Sequence, residues 1–485
     1  MPLLAETKRG RKAHARSHLT RIVATIGPAS SAPVVLARLI RAGVDAFRLN
    51  FSHGSHAEHA QVLSDIRAVS ERLGEWVPVM QDLQGPKLRI RNLPLEGVEL
   101  GTGEQFRLER DLDMGDSSRV GYLDEGWFDA VGKGHRVVLG DGNLVLRVLD
   151  KEGSTLVCRV QFGGLLRGRA GLNFPDSRLS IGSMTSKDWQ DLSFGLEQGV
   201  DAVALSFVQG PADLIAVRGF IGHQPHRPLL IAKIETPAAV QNLDAILTES
   251  DGVMVARGDL GLTHPIEMLP VIQKRVIRCA RERGKMVITA TQMLESMTQS
   301  PQPTRAEVTD VANAVYDGSD GVMLSGETAV GKYPVRVVET MARILRESEP
   351  HTSFPAVPKV DDSIDTAMAE AVRVLSRELN ARCILIPVTN GSTVKRVSRL
   401  RCGTPIIAAT MDPHSARGLR FFYGSDPMVL AASGGMLQNL ERVLNRARER
   451  GWVRDGDHAV ATGGFPLDHP GVINFVRAVE VGGVL

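Results

Sequence analysis

The chain is poor in cysteine, in aromatic side chains and in any surplus of one charge, and each shortage closes off a class of protein. Its four cysteines, Cys158, Cys279, Cys383 and Cys402, are scattered among 485 residues with no Cys-x-x-Cys. Neither a zinc framework nor a disulfide scaffold is indicated, and a reducing cytoplasm is the expected compartment. Lys and Arg total 57 against 55 Asp and Glu, a formal net charge of +2, which is too balanced for nucleic-acid binding over the whole surface. No apolar run approaches membrane-spanning length and residues 1–19 lack a secretory core, so a soluble protein with no membrane partner is expected. That arm carries Lys8, Arg9, Arg11, Lys12 and Arg16 against Glu6, and reads as a solvated arm rather than a transit peptide. Aromatics are only 5% beside 48 glycines, a balance that suits an α/β protein with many tight strand-to-helix turns. With 43% hydrophobic residues, a chain of this length predicts two or three domains.

Short apolar runs alternate with amphipathic helices from residue 21 onward. The pattern predicts strands near 21–26, 44–50, 77–82, 202–207, 229–235, 252–256, 285–290 and 320–324. Eight parallel strands are the number that closes a (β/α)8 TIM barrel. A helix over 265–283 is expected from the spacing of Leu269, Ile272, Val276 and Cys279, with Gly284 ending it. Between the third and fourth strands the period changes from helical to alternating, as in residues 135–139 and 144–148, with turns at 140–142 and 151–153. The expected organisation is an N-terminal arm at 1–19, a barrel at 20–85 and 181–348, an inserted small β-barrel lid at 86–180, and a C-terminal α/β domain at 349–485. The last would start with a Pro-rich linker at 350–362, then a helix at 363–380 and strands at 382–388, 405–410 and 458–462.

Side chains two apart on a strand share a face. Lys233 and Glu235 should therefore emerge together where the fifth strand reaches solvent, and Arg257 and Asp259 likewise on the sixth. Nearly every predicted strand end carries polar residues: Thr25; Arg48, Asn50 and Ser52; Asp82; Ser206; Thr289 and Thr291; Ser325 and Glu327. One such pair would be an ordinary ion pair, whereas eight at strand ends predict a barrel-mouth site. Glu235 and Asp259 are hard oxygen ligands suited to Mg²⁺, while Lys233, Arg48 and Arg89 would surround a small phosphorylated acid with positive charge. Lys233 has a rival role as a Schiff-base nucleophile, which requires a depressed pKa. The glycine-flanked Arg257-Gly258-Asp259-Leu260-Gly261 offers backbone N–H groups for a carboxylate. His53, His56 and His59 invite a zinc reading, but they drift round a helix capped by Ser55, so zinc is not expected, and His53 alone would face the mouth.

These segments resemble pyruvate kinase over nearly the whole chain. The resemblance lies in Arg48-Leu49-Asn50-Phe51-Ser52-His53-Gly54, Ala232-Lys233-Ile234-Glu235, Ala256-Arg257-Gly258-Asp259-Leu260-Gly261, Ala290-Thr291-Gln292-Met293-Leu294-Glu295-Ser296-Met297, Thr304-Arg305-Ala306-Glu307 and Met323-Leu324-Ser325-Gly326-Glu327-Thr328-Ala329. It implies phosphoryl transfer from phosphoenolpyruvate to ADP, yielding ATP and pyruvate. Lys233 would stabilise the phosphoryl group and enolate, Arg48 would contact phosphate, and Glu235 with Asp259 would hold Mg²⁺ or Mn²⁺. Thr291, Ala256, Arg257, Gly258 and Ser206 would line the acid's pocket, while Asn50, His53 and Arg89 would serve the nucleotide. A homotetramer is implied as well. Many members bind K⁺ through positions matching Asn50, Ser52, Asp82 and the Leu83 carbonyl, and carry Glu where this chain has Lys87. The resemblance is thus to the K⁺-independent subset, with K⁺ not required. Two departures remain: Ala170 stands where relatives often place Lys, and Thr389-Asn390-Gly391-Ser392-Thr393 matches the effector-phosphate loop only in part. A sugar-phosphate effector is expected there, with a vestigial loop as the equal alternative. Two other readings stay open from residues alone: a Mg²⁺-dependent barrel lyase or aldolase, marked by borohydride trapping at Lys233, and a non-catalytic metabolite sensor.

Overall fold

Eight strands, almost all fully buried, close into a parallel barrel in sequence order: β1 (Arg21–Thr25), β2 (Ala46–Asn50), β3 (Val79–Asp82), β4 (Ala202–Leu205), β5 (Leu229–Ile234), β6 (Gly252–Ala256), β7 (Met286–Ala290) and β8 (Gly321–Leu324), with β8 paired to β1. The computed structural model describes residues 18–123, 126–177, 179, 182–222, 226–354, 363–387, 391–430, 436–464 and 472–483. Every expected strand is present, trimmed by at most two residues at an end. Alternate side chains of the strands divide between two cores. Val79, Val203, Val253 and Val322 pack outward against helices, while Met80, Ile231, Met254 and Met323 lie in a second cluster. Flexible methionines suit that barrel interior, where strands of differing tilt leave irregular gaps.

Local signals place the helices. Ser55 accepts from the backbone of Glu58 and Glu58 reaches back to Ser55, a reciprocal cap that starts the helix His56–Leu73. The helix expected at 265–283 begins as a 3₁₀ turn, Ile266–Met268, and becomes α-helical over Leu269–Glu282. Gly284, at φ 65°, supplies the left-handed residue that ends it.

The insertion is a six-stranded sheet in the order Leu172–Asn173, Arg136–Leu139, Leu144–Glu152, Thr155–Phe162, Gln105–Arg110 and Arg119–Tyr122, beside a two-stranded ladder of Val98–Leu100 and Gly164–Leu166. Residues 88–92 stitch its two edges together. The Ile90 N–H donates to Ala170 at 3.1 Å and the Arg91 N–H to Gly121 at 2.7 Å, with bridges Arg89 to Gly171 and Ile90 to Tyr122. Trp127, Tyr122, Phe106 and Cys158 fill the resulting core. The C-terminal domain is a five-stranded sheet ordered Ser425–Val429, Ile406–Thr410, Cys383–Pro387, His458–Gly463 and Phe475–Glu480, only the last antiparallel. Its first helix, Ile364–Glu378, falls where expected. Buried ion pairs bind this domain to the barrel floor: Arg401 to Asp320 at 2.8 Å, and Arg21, itself paired with Asp45 of the barrel at 3.2 Å, to Asp426 at 3.5 Å. The basic residues of the N-terminal arm and positions 355–362 of the expected linker lie outside the described residues. Among the described residues the four cysteines are free, and no helix is long and apolar enough to cross a membrane.

Candidate active site

The predicted alternation on β5 brings Lys233 and Glu235 together, with Lys233 Nζ 2.8 Å from Glu235 Oε1. The same ammonium lies 3.3 Å from Asp82 Oδ1, at the end of β3, and donates to Ser206 Oγ at 2.7 Å. Ser206 in turn donates to the Leu83 carbonyl at 2.7 Å. Arg48 Nε donates to Asp82 Oδ2 at 2.7 Å and its Nη1 to Thr25 Oγ1 at 3.1 Å. One line of alternating charge thus crosses the mouth: Arg48, Asp82, Lys233, Glu235. Asp82 is its pivot, a role that no local pattern in the sequence announces.

Burial disfavours the Lys233 ammonium, but Asp82, Glu235 and Asp259 outweigh it and raise its pKa above the usual lysine value. A Schiff-base lysine needs the opposite shift, so the aldolase reading lacks its nucleophile. Burial alone would push the Asp82 carboxyl up, yet Lys233 and Arg48 hold it below the ordinary carboxylate range. Burial, reinforced by Asp259 and opposed by Lys233, raises Glu235.

Glu235 Oε2 accepts from the Phe207 N–H at 2.8 Å, and Phe207 adopts a left-handed φ of 53° to deliver it. Glu235 Oε1 and Asp82 Oδ1, both buried, make no aligned hydrogen bond beyond their ion pairs with Lys233. A buried, incompletely satisfied carboxylate oxygen beside a second hard carboxylate, Asp259, fits a divalent cation. Among the described residues no group of three His, Cys, Asp or Glu forms a self-sufficient metal site, so such a cation would complete its shell from substrate and water.

The segment after the sixth strand departs from expectation. It ends at Ala256, and Arg257–Thr263 turns helical, so Arg257 and Asp259 do not emerge on one strand face. Arg257 instead clamps the loop after β7: Nη1 bonds Asp310 at 2.7 Å, while Nη2 donates to the carbonyls of Thr291 at 2.6 Å and Gln292 at 3.2 Å. Thr291 and Gln292 are held at φ 67° and 55°, a strained conformation for side-chain-bearing residues. Thr291 Oγ1 accepts from the Gly258 N–H at 2.8 Å and donates to the Ala290 carbonyl at 2.6 Å. Two further strand-end residues are internal supports rather than mouth groups. Thr289 shares a hydrogen bond with Ser319 at 2.8 Å, and buried Glu327 accepts from the backbone of Ser325 at 2.6 Å and Leu294 at 3.1 Å.

Lys87 stands at the rim, its Nζ 3.9 Å from Asp259 Oδ1. Of the positions compared with a K⁺ site, Asn50 Oδ1 accepts from the Ser52 N–H at 3.2 Å, Leu83 receives Ser206, and Asp82 is ion-paired as above. Arg89 is exposed and donates to the Arg169 carbonyl at 2.9 Å within the lid. Ala170 packs against the lid core, and Arg169 turns toward Asn92, Nε to Oδ1 at 3.4 Å. The three histidines part company: His53 is exposed and its carbonyl receives His59 at 2.9 Å, while His56 pairs with Asp191 at 2.7 Å. Thr389 and Asn390 of the expected effector loop lie outside the described residues; Gly391, at φ 78°, leads into the helix Ser392–Ser398, which begins with Ser392 and Thr393.

Comparison with known proteins agrees with this geometry. The family model "Pyruvate kinase, barrel domain" matches residues 17–338 and "Pyruvate kinase, alpha/beta domain" matches residues 366–479. Pyruvate kinase 2 of Synechocystis sp. is 42% identical over 473 residues, covering 96% of this chain and 80% of that protein. A pyruvate kinase of Agrobacterium vitis is also 42% identical, covering 95% and 96%. The crystal structure of a pyruvate kinase from Cryptosporidium parvum superposes with a TM-score of 0.90 at 35% identity over 96% of both chains. With both of its principal domains matched and its length spanned by such relatives, the chain belongs to the pyruvate kinase family, a family of phosphotransferases.

Proposed function

We propose that this chain transfers the phosphoryl group of phosphoenolpyruvate to ADP. The observation that carries the reading is a lysine kept protonated, Lys233, between Asp82 and Glu235 and beside the Asp259 carboxylate. In the step, the enol C–O–P linkage breaks at phosphorus and a terminal ADP oxygen bonds to it. The electron pair left on the substrate oxygen forms the enolate, whose methylene carbon then takes a proton to give pyruvate. Arg48 and Lys233 hold the phosphate oxygens, and Lys233 lowers the energy of the enolate by facing the oxygen on which charge develops. The Gly258 N–H and the Thr291 hydroxyl, which bond each other and the Ala290 carbonyl without substrate, would exchange those bonds for the substrate carboxylate, with Ala256 and Ser206 completing the pocket. Thr291 passes the proton directly or through water. Glu235 and Asp259 would hold Mg²⁺ or Mn²⁺, which supplies charge neutralisation at the phosphoryl and enolate oxygens. Asn50, His53 and the lid's Arg89 serve the nucleotide.

The same proposal extends to ion dependence and control. Lys87 brings a tethered positive charge to the rim, 3.9 Å from Asp259, and would supply the charge that the resemblance otherwise assigns to K⁺. Turnover therefore needs the divalent ion but not K⁺. A phosphorylated metabolite acting at Thr389–Thr393 and a homotetrameric assembly complete the proposal. A coupled assay for pyruvate from phosphoenolpyruvate and ADP, with Mg²⁺ and no K⁺, tests it directly. No pyruvate in any ionic condition would overturn the activity, and strong K⁺ activation would overturn the Lys87 assignment alone.

A further inference from the structure

The loop that carries Thr291 hangs on the helix Arg305–Asp317 that follows it. Three successive carbonyls, of Ala290, Thr291 and Gln292, accept from the single guanidinium of Arg257 at 3.3, 2.6 and 3.2 Å, and the Met293 sulfur lies 2.9 Å from its Nη2. Neighbouring carbonyls of an extended strand point to opposite sides, so gathering three of them on one cation needs a chain that has left the strand. The left-handed φ values of Thr291 and Gln292 are that departure. Two successive side-chain-bearing residues stay in this conformation only while their surroundings over-determine it.

The guanidinium needs an anchor of its own, and Asp310 supplies it. Both Asp310 oxygens lie 2.7 Å from Arg257 Nη1, and among the described residues this carboxylate makes no other ion pair or side-chain hydrogen bond. The Arg257 side chain is 11% exposed and that of Asp310 36%, so the acid holds the arginine from the outer side. A charge-assisted contact is about twice as strong as a neutral one, and the other acceptors of Arg257 are carbonyls and a sulfur. Two more acids steady the far part of the same loop. Glu307, one helical turn before Asp310, accepts from the Ser296 N–H at 2.7 Å, and Glu327 accepts from the Leu294 N–H at 3.1 Å. Of the three, Asp310 is the one that reaches the turn at Thr291, and it does so through Arg257.

Arg257 also directly precedes Gly258, whose N–H donates to Thr291 Oγ1 at 2.8 Å. One side chain therefore ties the end of β6 to the loop after β7 and fixes both sides of the pocket assigned to the substrate carboxylate. We propose that Asp310 is a positioning residue for proton transfer to the enolate: through Arg257 it holds the turn that sets the Thr291 hydroxyl against Gly258. The inference rests on the phosphoryl-transfer reading above. A proton-transferring hydroxyl displaced by about 1 Å loses on the order of a hundredfold in rate. Arg48, Lys233 and Glu235 are held by ion pairs that do not involve Asp310, so its removal slows the proton step and leaves nucleotide binding intact.

Two assays on the full chain test the proposal. One is steady-state pyruvate formation from phosphoenolpyruvate and ADP. The other, followed by NMR in deuterium oxide with Mg²⁺ and inorganic phosphate, is exchange of the methyl hydrogens of pyruvate, the reverse of enolate protonation. There a C–H bond breaks, its proton leaves to Thr291 or its water, the electron pair forms the enolate, and a solvent deuteron is returned to carbon. Asp310→Ala should slow both by about a hundredfold while KM for ADP stays within about twofold and unfolding stays cooperative. Asp310→Asn, which keeps an acceptor but not the charge, should slow them only about tenfold. Arg257→Met should be as slow as Asp310→Ala, and adding Asp310→Ala to it should cost less than about twofold more, as for two residues acting as one unit. Parental rates in Asp310→Ala overturn the proposal, as does exchange at the parental rate beside slowed pyruvate formation. So does a full additional loss in the Arg257→Met background, or a KM for ADP that rises in step with the loss of turnover. A parent chain that forms no pyruvate overturns the phosphoryl-transfer reading and this inference with it, whereas an active parent matched by its Asp310→Ala variant overturns this inference alone.

Discussion

The two ends of the barrel both gather cations and treat them in opposite ways. At the mouth, Arg48 and Lys233 are interleaved with Asp82 and Glu235 at 2.7 to 3.3 Å, and the acids keep the lysine charged. At the floor, Arg283, Lys285, Lys395, Arg396 and Arg399 line a cavity with Asp251, and burial lowers Lys285 among them. The mouth's side chains are paired with one another before a substrate arrives, so they are held in place without reorganisation, and the charge still wanted there is that of a divalent cation beside Glu235. The floor spreads its cations over separate acids, Arg283 on Asp244 and Arg396 on Asp365. The mouth is paired into one continuous line, whereas the floor is paired piecewise.

Breaking the pairing at the mouth should have the largest effect. Lys233→Met should lower turnover by about a thousandfold, the scale of losing a principal electrostatic stabiliser. It should also cost about 3–5 kcal/mol of stability by leaving Asp82 and Glu235 buried without their cation, read by denaturant unfolding. Next comes Glu235→Gln, which should raise the Mg²⁺ concentration for half-maximal turnover by more than the ~10–100-fold typical of losing a mere outer-sphere partner. Chelation of the divalent ion should silence the unmodified chain. Lys87→Glu is a smaller change at a half-exposed position. It should lower turnover in K⁺-free buffer about tenfold, or roughly 1.4 kcal/mol, with K⁺ restoring the rate.

The smallest expected effect lies away from the charged mouth, on the helix His56–Leu73. His59 stacks on Phe51 at 4.1 Å, and burial lowers its pKa below the usual histidine value. The unfolded chain therefore binds the proton more readily, so stability is fully present above the ordinary histidine range. It declines as pH falls through that range toward the folded value. Melting curves should show this slope on the acid side of neutrality, and His59→Gln should flatten it slightly.

The barrel was legible because strands buried on both faces must read as short apolar runs, and the Lys233/Glu235 alternation was legible because a strand repeats every two residues. The same rule failed at Arg257 and Asp259, where the chain turns helical one residue after the strand and sends the guanidinium to Asp310. Polar residues at strand ends were also over-read, since Thr289 and Glu327 satisfy neighbouring polar groups inside the fold. The strand-end pattern put Asp82 at the mouth, but nothing local showed that it would bridge Arg48 and Lys233, nor that barrel cations would meet those of the C-terminal helix. Lys285 and Lys395 stand 110 residues apart, and only the docking of two domains makes them neighbours.

The stitch at residues 88–92 bears on how this chain could be taken apart. The strand-bearing part of the insertion begins at Val98, which looks like a natural place to cut. Yet a fragment starting there would leave Arg119–Tyr122 and Leu172–Asn173 with bare edges, open to pairing with another copy. The smallest piece that could be transplanted into a different scaffold as a self-contained module therefore starts at Leu88, directly after the lysine at the rim, so the junction cannot be moved without also choosing what charge the rim will carry.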